Sequence, residues 1–581
     1  VSDFSFDLLE RPWIPCLFAG EVKPVELGIR DVLARSGEIV EVRDTSPLAT
    51  IAIHRLLLAI LHRSVPRKDK GQGLKRWVQV WEDGAGSLPT DDINTYLGQW
   101  PDRFDLFHPT VPFYQCAALE MPEAKGMRVL TVELENSPGH FDHAEPTVYS
   151  PAQAARTLAA VQAFASGGLL RQSADIGGKS VWWLRGENGP LYNRAVIWLT
   201  GRNLFQTLML NFVPDPLEPK DKPAWEWDDP ALWRDDPADS QRPRLRSAGV
   251  LDRLTWQSRL IRLLPDEGEE GPVVRRCYLT HGRNADPNRG EPMFGYIASR
   301  KEGFYPLTLS REKASWRDIH SLLIRNGGEE VRPKSVEHVA ELALYGDIDA
   351  NLTTGINVAG LSGESNRVAI HLWRHDRTSL PAAFLADQDL AARLGALVRE
   401  AEDGEGDFNT GIPDGVARQL FARTKQLCTY YLAPRTGEPD ARPAKPEDVS
   451  ALLKRIDPRQ AYWARLESHF HHLLTGLADP ERAPEAEAAW RRDVEREATR
   501  AMREAARSLG HTGGSGAAQR VIQALARVSA DFICGSARLA ERRDRRERVH
   551  TLAEVIGDED DAPADDEDAT LTAPEEETAH V

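Results

Sequence analysis

Apolar positions recur with helical spacing at Ile51–Leu61 and Pro151–Phe164, and the pattern predicts a helix over each. Short apolar runs at Val129–Leu134, Val181–Leu184, Ala195–Leu199 and Arg367–Trp373 predict strands. Proline and glycine clusters separate them. Neither a βαβ rhythm nor a repeat is visible, so a doubly wound sheet is not expected. The stretch Pro214–Pro243, rich in Pro, Asp and Trp, reads as a surface connection.

After Pro381 the pattern changes. Ala, Leu, Glu and Arg dominate, and helical spacing predicts helices near Ala382–Glu402, Pro413–Leu432, Pro458–Leu477, Pro484–Leu509 and Gly516–Glu547. The breaks Asp403–Thr410, Ala433–Pro446 and Gly510–Gly516 contain Gly or Pro. In the last helix Ala518, Val521, Ile522, Leu525 and Val528 form one apolar stripe, with Arg520 and Arg527 off it. That is the pattern of a bundle helix with one wet side. The expected fold class is α+β. An irregular mixed domain over 1–380 precedes a four-helix-type bundle over 381–556 and a disordered acidic tail over 557–581.

Composition narrows the function classes. The 581 residues allow two to four domains at roughly 100–200 residues each. The densest apolar run, Leu56–Leu61, is far short of the ~18 residues a membrane helix needs, so no membrane partner is expected. Asp3 and Asp7 stand where a secretory leader carries basic residues, and Pro12 and Pro15 follow. Cys16, Cys116, Cys277, Cys428 and Cys534 form no CxxC pair, which fits buried thiols in a reducing cytoplasm. The net charge is −17, yet eleven acids and no Lys or Arg lie in 558–581. The overall acidity therefore partly reports the tail, and a local basic face for nucleic acid stays open.

Candidate chemistry is sparse. His375-Asp376 invites a metal-dependent phosphohydrolase reading, but no second His/Asp cluster accompanies it. His469, His471 and His472 share a helix without a convincing further ligand. No cofactor is indicated: Gly167-Gly168 and Gly177-Gly178 match no nucleotide-phosphate loop and mark either turns or close backbone approach to a ligand. Arg67, Lys68, Lys70, Lys75 and Arg76 form a basic loop. Pro484–Arg548 holds fourteen Arg against ten acids, either a solvated face or a phosphate track. The polar stretch Ser362–Arg367 before the Val368–Trp373 run reads as a hairpin tip, an ordinary turn or a ribbon offering Asn and Arg to nucleic acid. No nucleophile elbow, paired-carboxylate signature or metalloprotease helix is present, so a non-catalytic protein is expected, with a purely protein-binding scaffold as a further possibility.

Several stretches, in order, resemble the CasA family, the large subunit of the type I-E CRISPR Cascade complex. They are FDLLERPWIP from Phe6, HRLLLAILHR from His54, RFDLFHPTVPFYQ from Arg103, NLFQTLMLNFVP from Asn203, LTWQSRLIRLL from Leu254 and WRHD from Trp373. The resemblance implies a non-catalytic subunit of a cytoplasmic, RNA-guided surveillance complex. Such a subunit recognises the protospacer-adjacent motif (PAM) in duplex DNA, opens the duplex for R-loop formation and helps recruit a helicase-nuclease. Its partners would be a guide RNA, the backbone, 5′-end-capping and small subunits, the target duplex and its displaced strand.

The same resemblance implies site residues. Ser365, Asn366 and Arg367 match the wedge at the hairpin tip. Ser166, Gly167 and Gly168 match the glycine loop that reads the minor groove, with Gly177-Gly178 as the alternative. Arg275, Arg276 or Arg283 would supply the basic finger. Asn136–Pro146, with Asn136 and Phe141, would anchor the subunit near the guide RNA 5′ end. The bundle would face the small subunits, with Arg residues between Arg491 and Arg548 along the displaced strand.

Overall fold

The computed structural model describes residues 4–528, apart from 66, 68, 84–85, 133–146, 169–171, 184–185, 228–244, 287–290, 299–303, 310–312, 324–331, 364–370, 403–414, 434–443 and 512–513. The chain separates into two compact units, Val1–Val398 with His472–Ala486, and Arg399–His471 with Glu487–Val581. Helix and strand are mixed, as the α+β expectation requires at its coarsest. Among the described residues no helix is long and apolar enough to cross a membrane.

The first unit is organised by the helix Pro47–Ser64. The Ser46 hydroxyl accepts the Ala49 N–H at 3.2 Å, and Pro47 occupies the first turn, where its missing N–H costs nothing. Sixteen of its eighteen residues are buried, so it is surrounded rather than laid on a surface. It packs against the helices Thr90–Leu97, Pro151–Phe164, Leu204–Asn211 and Val250–Leu254. Arg55 sits in the middle of this apolar run. Its guanidinium meets Glu291 Oε1 at 2.5 Å and donates to the Arg253 carbonyl at 2.6 Å, with both ion-pair partners at most 4% exposed.

Among the described residues, five small sheets belong to the same unit, and every strand pair in them is antiparallel. Buried side-chain amides complete some strand backbones. Asn211 both donates to and accepts from the backbone of Leu199, and Gln162 does the same with Arg259. Gln115 accepts the Leu263 N–H at 2.7 Å. An amide carries a donor and an acceptor like a peptide group, so it satisfies backbone that burial would otherwise orphan.

In the second unit, the helix Val416–Leu432 packs against Pro446–Arg455 and Gly514–Arg527. Arg465 pairs with Glu504, and His469 Nδ1 lies 2.9 Å from Asp493. Tyr462 donates to the Ala401 carbonyl at 3.1 Å.

Several expectations change. Val129–Leu134 is not a strand: Met127–Leu130 is a 3-10 turn, and 133–134 lie outside the described residues. Ala382–Glu402 is two helices, because Asp387 breaks the run and accepts the Leu390 N–H at 2.9 Å, starting a new one at Gln388. The helix Pro446–Arg455 is an addition to the sequence expectation. The Pro214–Pro243 connection is no mere surface strap. Glu226 is buried and accepts from Tyr96 and Arg63 at 2.7 Å each, while Trp225 donates to Tyr96 at 2.7 Å. The apolar stripe of Gly514–Arg527 is rotated: Ala517, Val521, Ala524 and Val528 are buried, whereas Ile522 is 60% exposed. Arg67, read as part of a basic loop, is half-buried and donates to the carbonyls of Asp215 at 2.5 Å and His62 at 2.8 Å.

Removing one partner of the core ion pair strands a buried charge. Glu291→Ala should destabilise the first unit by about 3–5 kcal/mol, and Arg55→Met with Glu291→Leu should recover most of that loss, as read by denaturant midpoints. His338 is buried edge-on to Trp77 at 5.4 Å, with no partner for Nε2 among the described residues. Burial, aided by the Lys70 charge, lowers it from 6.5 to about 4. The unfolded chain therefore binds this proton more readily than the folded one. Its stability contribution is present above about pH 6.5 and is lost as the pH falls toward 4. His338→Phe should flatten the pH dependence of the denaturation midpoint across that window relative to the parent.

Candidate nucleic-acid interface

Two hairpins and a loop position the predicted DNA-contacting residues. The longer hairpin joins Thr353–Gly363 to His371–Pro381 in unbroken register, from Thr353 opposite Pro381 to Gly363 opposite His371. Val196–Thr200 flanks its base. Such a two-stranded ribbon needs a third strand for support near its root. Gly360 allows close approach there: a Cβ would fall 2.2 Å from the Arg194 carbonyl oxygen. Ser365, Asn366 and Arg367 belong to the connection 364–370, outside the described residues. His375 and Asp376 lie in the stem, paired through their backbones with Ala359 and Val358.

The glycine loop follows the helix Pro151–Phe164. A capping box holds that helix's start, with Ser150 and Gln153 each accepting the other's backbone N–H. Past Ala165 the chain turns extended and is pinned from three directions. The Ser166 carbonyl accepts from Arg259 at 2.5 Å, Gly167 N–H donates to Asn188 at 2.5 Å, and Gly168 exchanges backbone hydrogen bonds with Gly186 at 3.1 and 2.9 Å. The two glycines differ in kind. A Cβ on Gly167 would meet Asn188 and the Gly186 carbonyl at 2.9 Å. A Cβ on Gly168 would meet no described residue within 4 Å, and the residue is exposed. Gly177 and Gly178 turn the hairpin between Gln172–Ile176 and Lys179–Trp183, with φ of +59° and +80°. Two consecutive positive φ values are what a two-residue turn of the primed type requires.

The second hairpin joins Arg259–Gly268 to Gly271–His281. Its register shifts between Val274 and Arg276, so Arg275 is the extra residue of a bulge. Arg275 and Arg276 both reach Asp266, at 3.8 and 3.5 Å, and remain 36% and 57% exposed. One carboxylate thus faces two cations. Arg283 has a different task. It lies mostly covered, against the buried Asp252, in a two-point ion pair at 2.6 and 3.2 Å, with its guanidinium 3.8 Å from the Trp256 ring centre and 4.5 Å from that of Trp227. Its charge is already engaged inside the fold, which removes it as a free finger.

Asn136 and Phe141 lie outside the described residues, but the flanks of that segment are fixed together. Thr131 and Tyr149 share a hydrogen bond between their hydroxyls at 2.6 Å, and Tyr149 bridges Val274 beside the bulge. The described flanks of the predicted anchoring loop, Thr131 and Tyr149, are therefore held beside Val274, the residue before Arg275. Arg259 and Asn188, which hold the glycine loop, were not singled out from the sequence. Arg259 acts across 93 positions of chain, and no local spacing announces it.

Other chemistry does not assemble. Among the described residues no three His, Cys, Asp or Glu side chains are grouped to hold a metal ion. His469 is occupied by Asp493 and lies 4.0 Å from Glu497. Burial pushes the thiols of Cys16 and Cys277 up to about 12 and that of Cys428 to about 11, so they stay protonated.

The family model described as CRISPR-associated protein Cse1 matches residues 7–501. A CRISPR-associated protein CasA/Cse1 of Thermus thermophilus is 31% identical over 544 residues, covering 91% of this chain and 96% of its own. A crystal structure of Thermus thermophilus CasA superposes with a TM-score of 0.70 at 28% identity, over 90% of this chain and 98% of that one. A chain of a CRISPR RNA-guided surveillance complex has the same fold, with a TM-score of 0.65 at 22% identity over 90% and 98% of the two chains. On this match of sequence and fold along nearly its whole length, the chain belongs to the CRISPR-associated Cse1 (CasA) family.

Proposed function

We propose that this chain is the non-catalytic large subunit of a type I-E CRISPR surveillance complex in the cytoplasm. In this reading it recognises the PAM in duplex DNA, wedges the strands apart so that the guide RNA can pair, and helps recruit the helicase-nuclease. Family membership supports it, as does the fold shared with a chain of an RNA-guided surveillance complex. The observation that carries it is the glycine loop. Protein contacts demand Gly167, but no contact among the described residues demands Gly168, which is exposed on a backbone held by hydrogen bonds. A backbone held close to a partner suits the minor groove, where few base groups distinguish one pair from another.

The remaining roles follow the same reading. Ser365, Asn366 and Arg367 form the wedge at the end of the long hairpin. Arg275 and Arg276 neutralise phosphate or enter the groove. Asn136 and Phe141 anchor the subunit at the guide RNA 5′ end, beside the backbone and capping subunits. The helices of 381–556 form a four-helix-type bundle toward the small subunits and displaced strand, and the acidic tail 557–581 takes no part in DNA contact.

In complex reconstituted with guide RNA, Asn366→Ala with Arg367→Ala should slow opening of a PAM-bearing duplex at least tenfold while leaving assembly on the guide intact. Equal loss of both, or neither, would falsify the wedge. Gly168→Ala should leave the chain's melting midpoint unchanged and weaken PAM-duplex binding, whereas Gly167→Ala should lower the midpoint itself. Unchanged duplex affinity in Gly168→Ala would remove the loop from the interface.

A further inference from the structure

Five stretches of the first unit meet around a cavity of about 320 Å³. They are the helix Pro47–Ser64, the segment that follows Leu204–Asn211, the helix Val250–Leu254, the pair Pro292 and Met293, and the start of the helix Lys334–Tyr345. The volume reaches the range, from about 300 Å³ upward, of small-molecule sites. Leu58, Val213, Val250, Leu254 and Met293 supply an apolar wall. The cavity adjoins the core ion pair: the Arg253 carbonyl accepts from Arg55, and Met293 Sδ lies 3.6 Å from the Arg55 guanidinium. None of the residues assigned above to DNA or guide RNA lines it.

Several donors on this wall find no acceptor among the described residues. The Ser335 hydroxyl is one, in a side chain only 3% exposed, where an unpaired polar group is costly. Lys334, half-buried beside it, forms no ion pair among the described residues. These two residues open a twelve-residue helix whose N-cap, Pro333, offers no side-chain cap. The Lys334 N–H donates to the Pro292 carbonyl at 3.1 Å, but those of Ser335 and Val336 have no partner among the described residues. His62 adds a further donor. Arg67 can only donate, so His62 Nδ1, 2.9 Å from it, accepts and the ring hydrogen stays on Nε2. Burial, with the Arg67 charge, holds this imidazole well below its ordinary 6.5, so it is neutral.

Acids line the same cavity. Asp221 is satisfied by the N–H groups of Leu251 and Asp252 at 3.0 and 2.8 Å. Asp215 is half-buried, and Glu218 is exposed without an ion pair among the described residues. Three acids against the two cations Arg253 and Lys334 disfavour a bare anion, while the unpaired donors give nothing to a bare amine.

We propose that this cavity binds a small zwitterion with an apolar body, the chemistry of a free aliphatic or aromatic α-amino acid. Its carboxylate lies at the start of Lys334–Tyr345, where the helix end favours negative charge and the Ser335 hydroxyl and Lys334 ammonium are neighbours in one turn. Its ammonium is met by Asp215 and Glu218, and its side chain by the apolar wall. The inference goes beyond the DNA-reading role and does not depend on it.

The test titrates the purified full chain with L-leucine and with L-phenylalanine in a calorimeter. Saturable one-to-one binding with a dissociation constant below about 1 mM is expected, together with a melting midpoint that rises with ligand concentration. Isocaproate, which is leucine without its ammonium, and isoamylamine, which is leucine without its carboxylate, should each bind at least about tenfold more weakly. Lys334→Gln should weaken leucine binding about tenfold. Ser335→Ala should do the same while leaving the midpoint of the unliganded chain unchanged or higher, because it removes an unpaired buried hydroxyl. A merely structural serine would give a lower midpoint instead. Asp215→Asn with Glu218→Gln should weaken leucine but not isocaproate. Absence of saturable binding of both amino acids, isocaproate or inorganic phosphate binding as tightly as leucine, or parental affinity in both Lys334→Gln and Ser335→Ala would each overturn the proposal.

Discussion

An apolar helix with an arginine at its centre can be buried only if the charge is met where it lies. The ion pair of Arg55 with Glu291 does this for Pro47–Ser64, and the Arg253 carbonyl takes a further guanidinium N–H. Three parts of the chain far apart in sequence are thereby held at one point: the central helix, the end of Val250–Leu254 and the segment before Met293. Val196, whose strand pairs with the long hairpin, bridges to Phe294 just beyond that segment. The hairpin's root is thus linked through the core to the helix. In the wedge role proposed for it the hairpin would have to transmit force rather than bend, and this anchorage in a closely packed interior would supply the stiffness.

The same economy of contacts shapes the glycine loop. Gln162 lies in the last turn of Pro151–Phe164 and pairs both ends of its amide with the backbone of Arg259. The side chain of that arginine then reaches the Ser166 carbonyl. Helix, strand and loop are therefore connected by consecutive hydrogen bonds, all inside the protein. Burial of Arg259 would be costly without them, because each guanidinium N–H left unpaired in the interior is penalised. The result is a loop whose backbone is already fixed by the protein, so binding in its proposed role would lose little ordering entropy.

How much of this was legible in the sequence depended on whether the signal was local. Pro151–Phe164 was readable to the residue, because Ser150, Pro151 and Gln153 announce its start and its alanine-rich run has one outcome. Gly177-Gly178 was readable as a turn for the same reason. Pro446–Arg455 carried good local signals, with proline first, Glu447 and Asp448 in the opening turn and Lys454 and Arg455 in the last. Its apolar stripe is only Val449 and Leu453, too short to stand out against the Pro- and Gly-bearing break before it. The rotation of Gly514–Arg527 was not legible at all. Ile522 is more apolar than Ala517 or Ala524, yet packing against Val416–Leu432 buries the small residues and turns the large one out. Gln162 and Arg259 were silent, and Arg283 read as a free cation, because their partners lie far along the chain.

Counting basic residues therefore says little about where a chain of this kind would meet nucleic acid. Arg283, Arg259 and Arg67 are internal braces, and Arg491, Arg496 and Arg500 are balanced by neighbouring carboxylates. On the bulged strand the balance is different, because Arg275 and Arg276 are exposed and share the one carboxylate of Asp266. In the reading proposed for this chain, that residual positive charge is what a polyanion would meet, since cations already paired at short range inside the fold have little left to offer a phosphate.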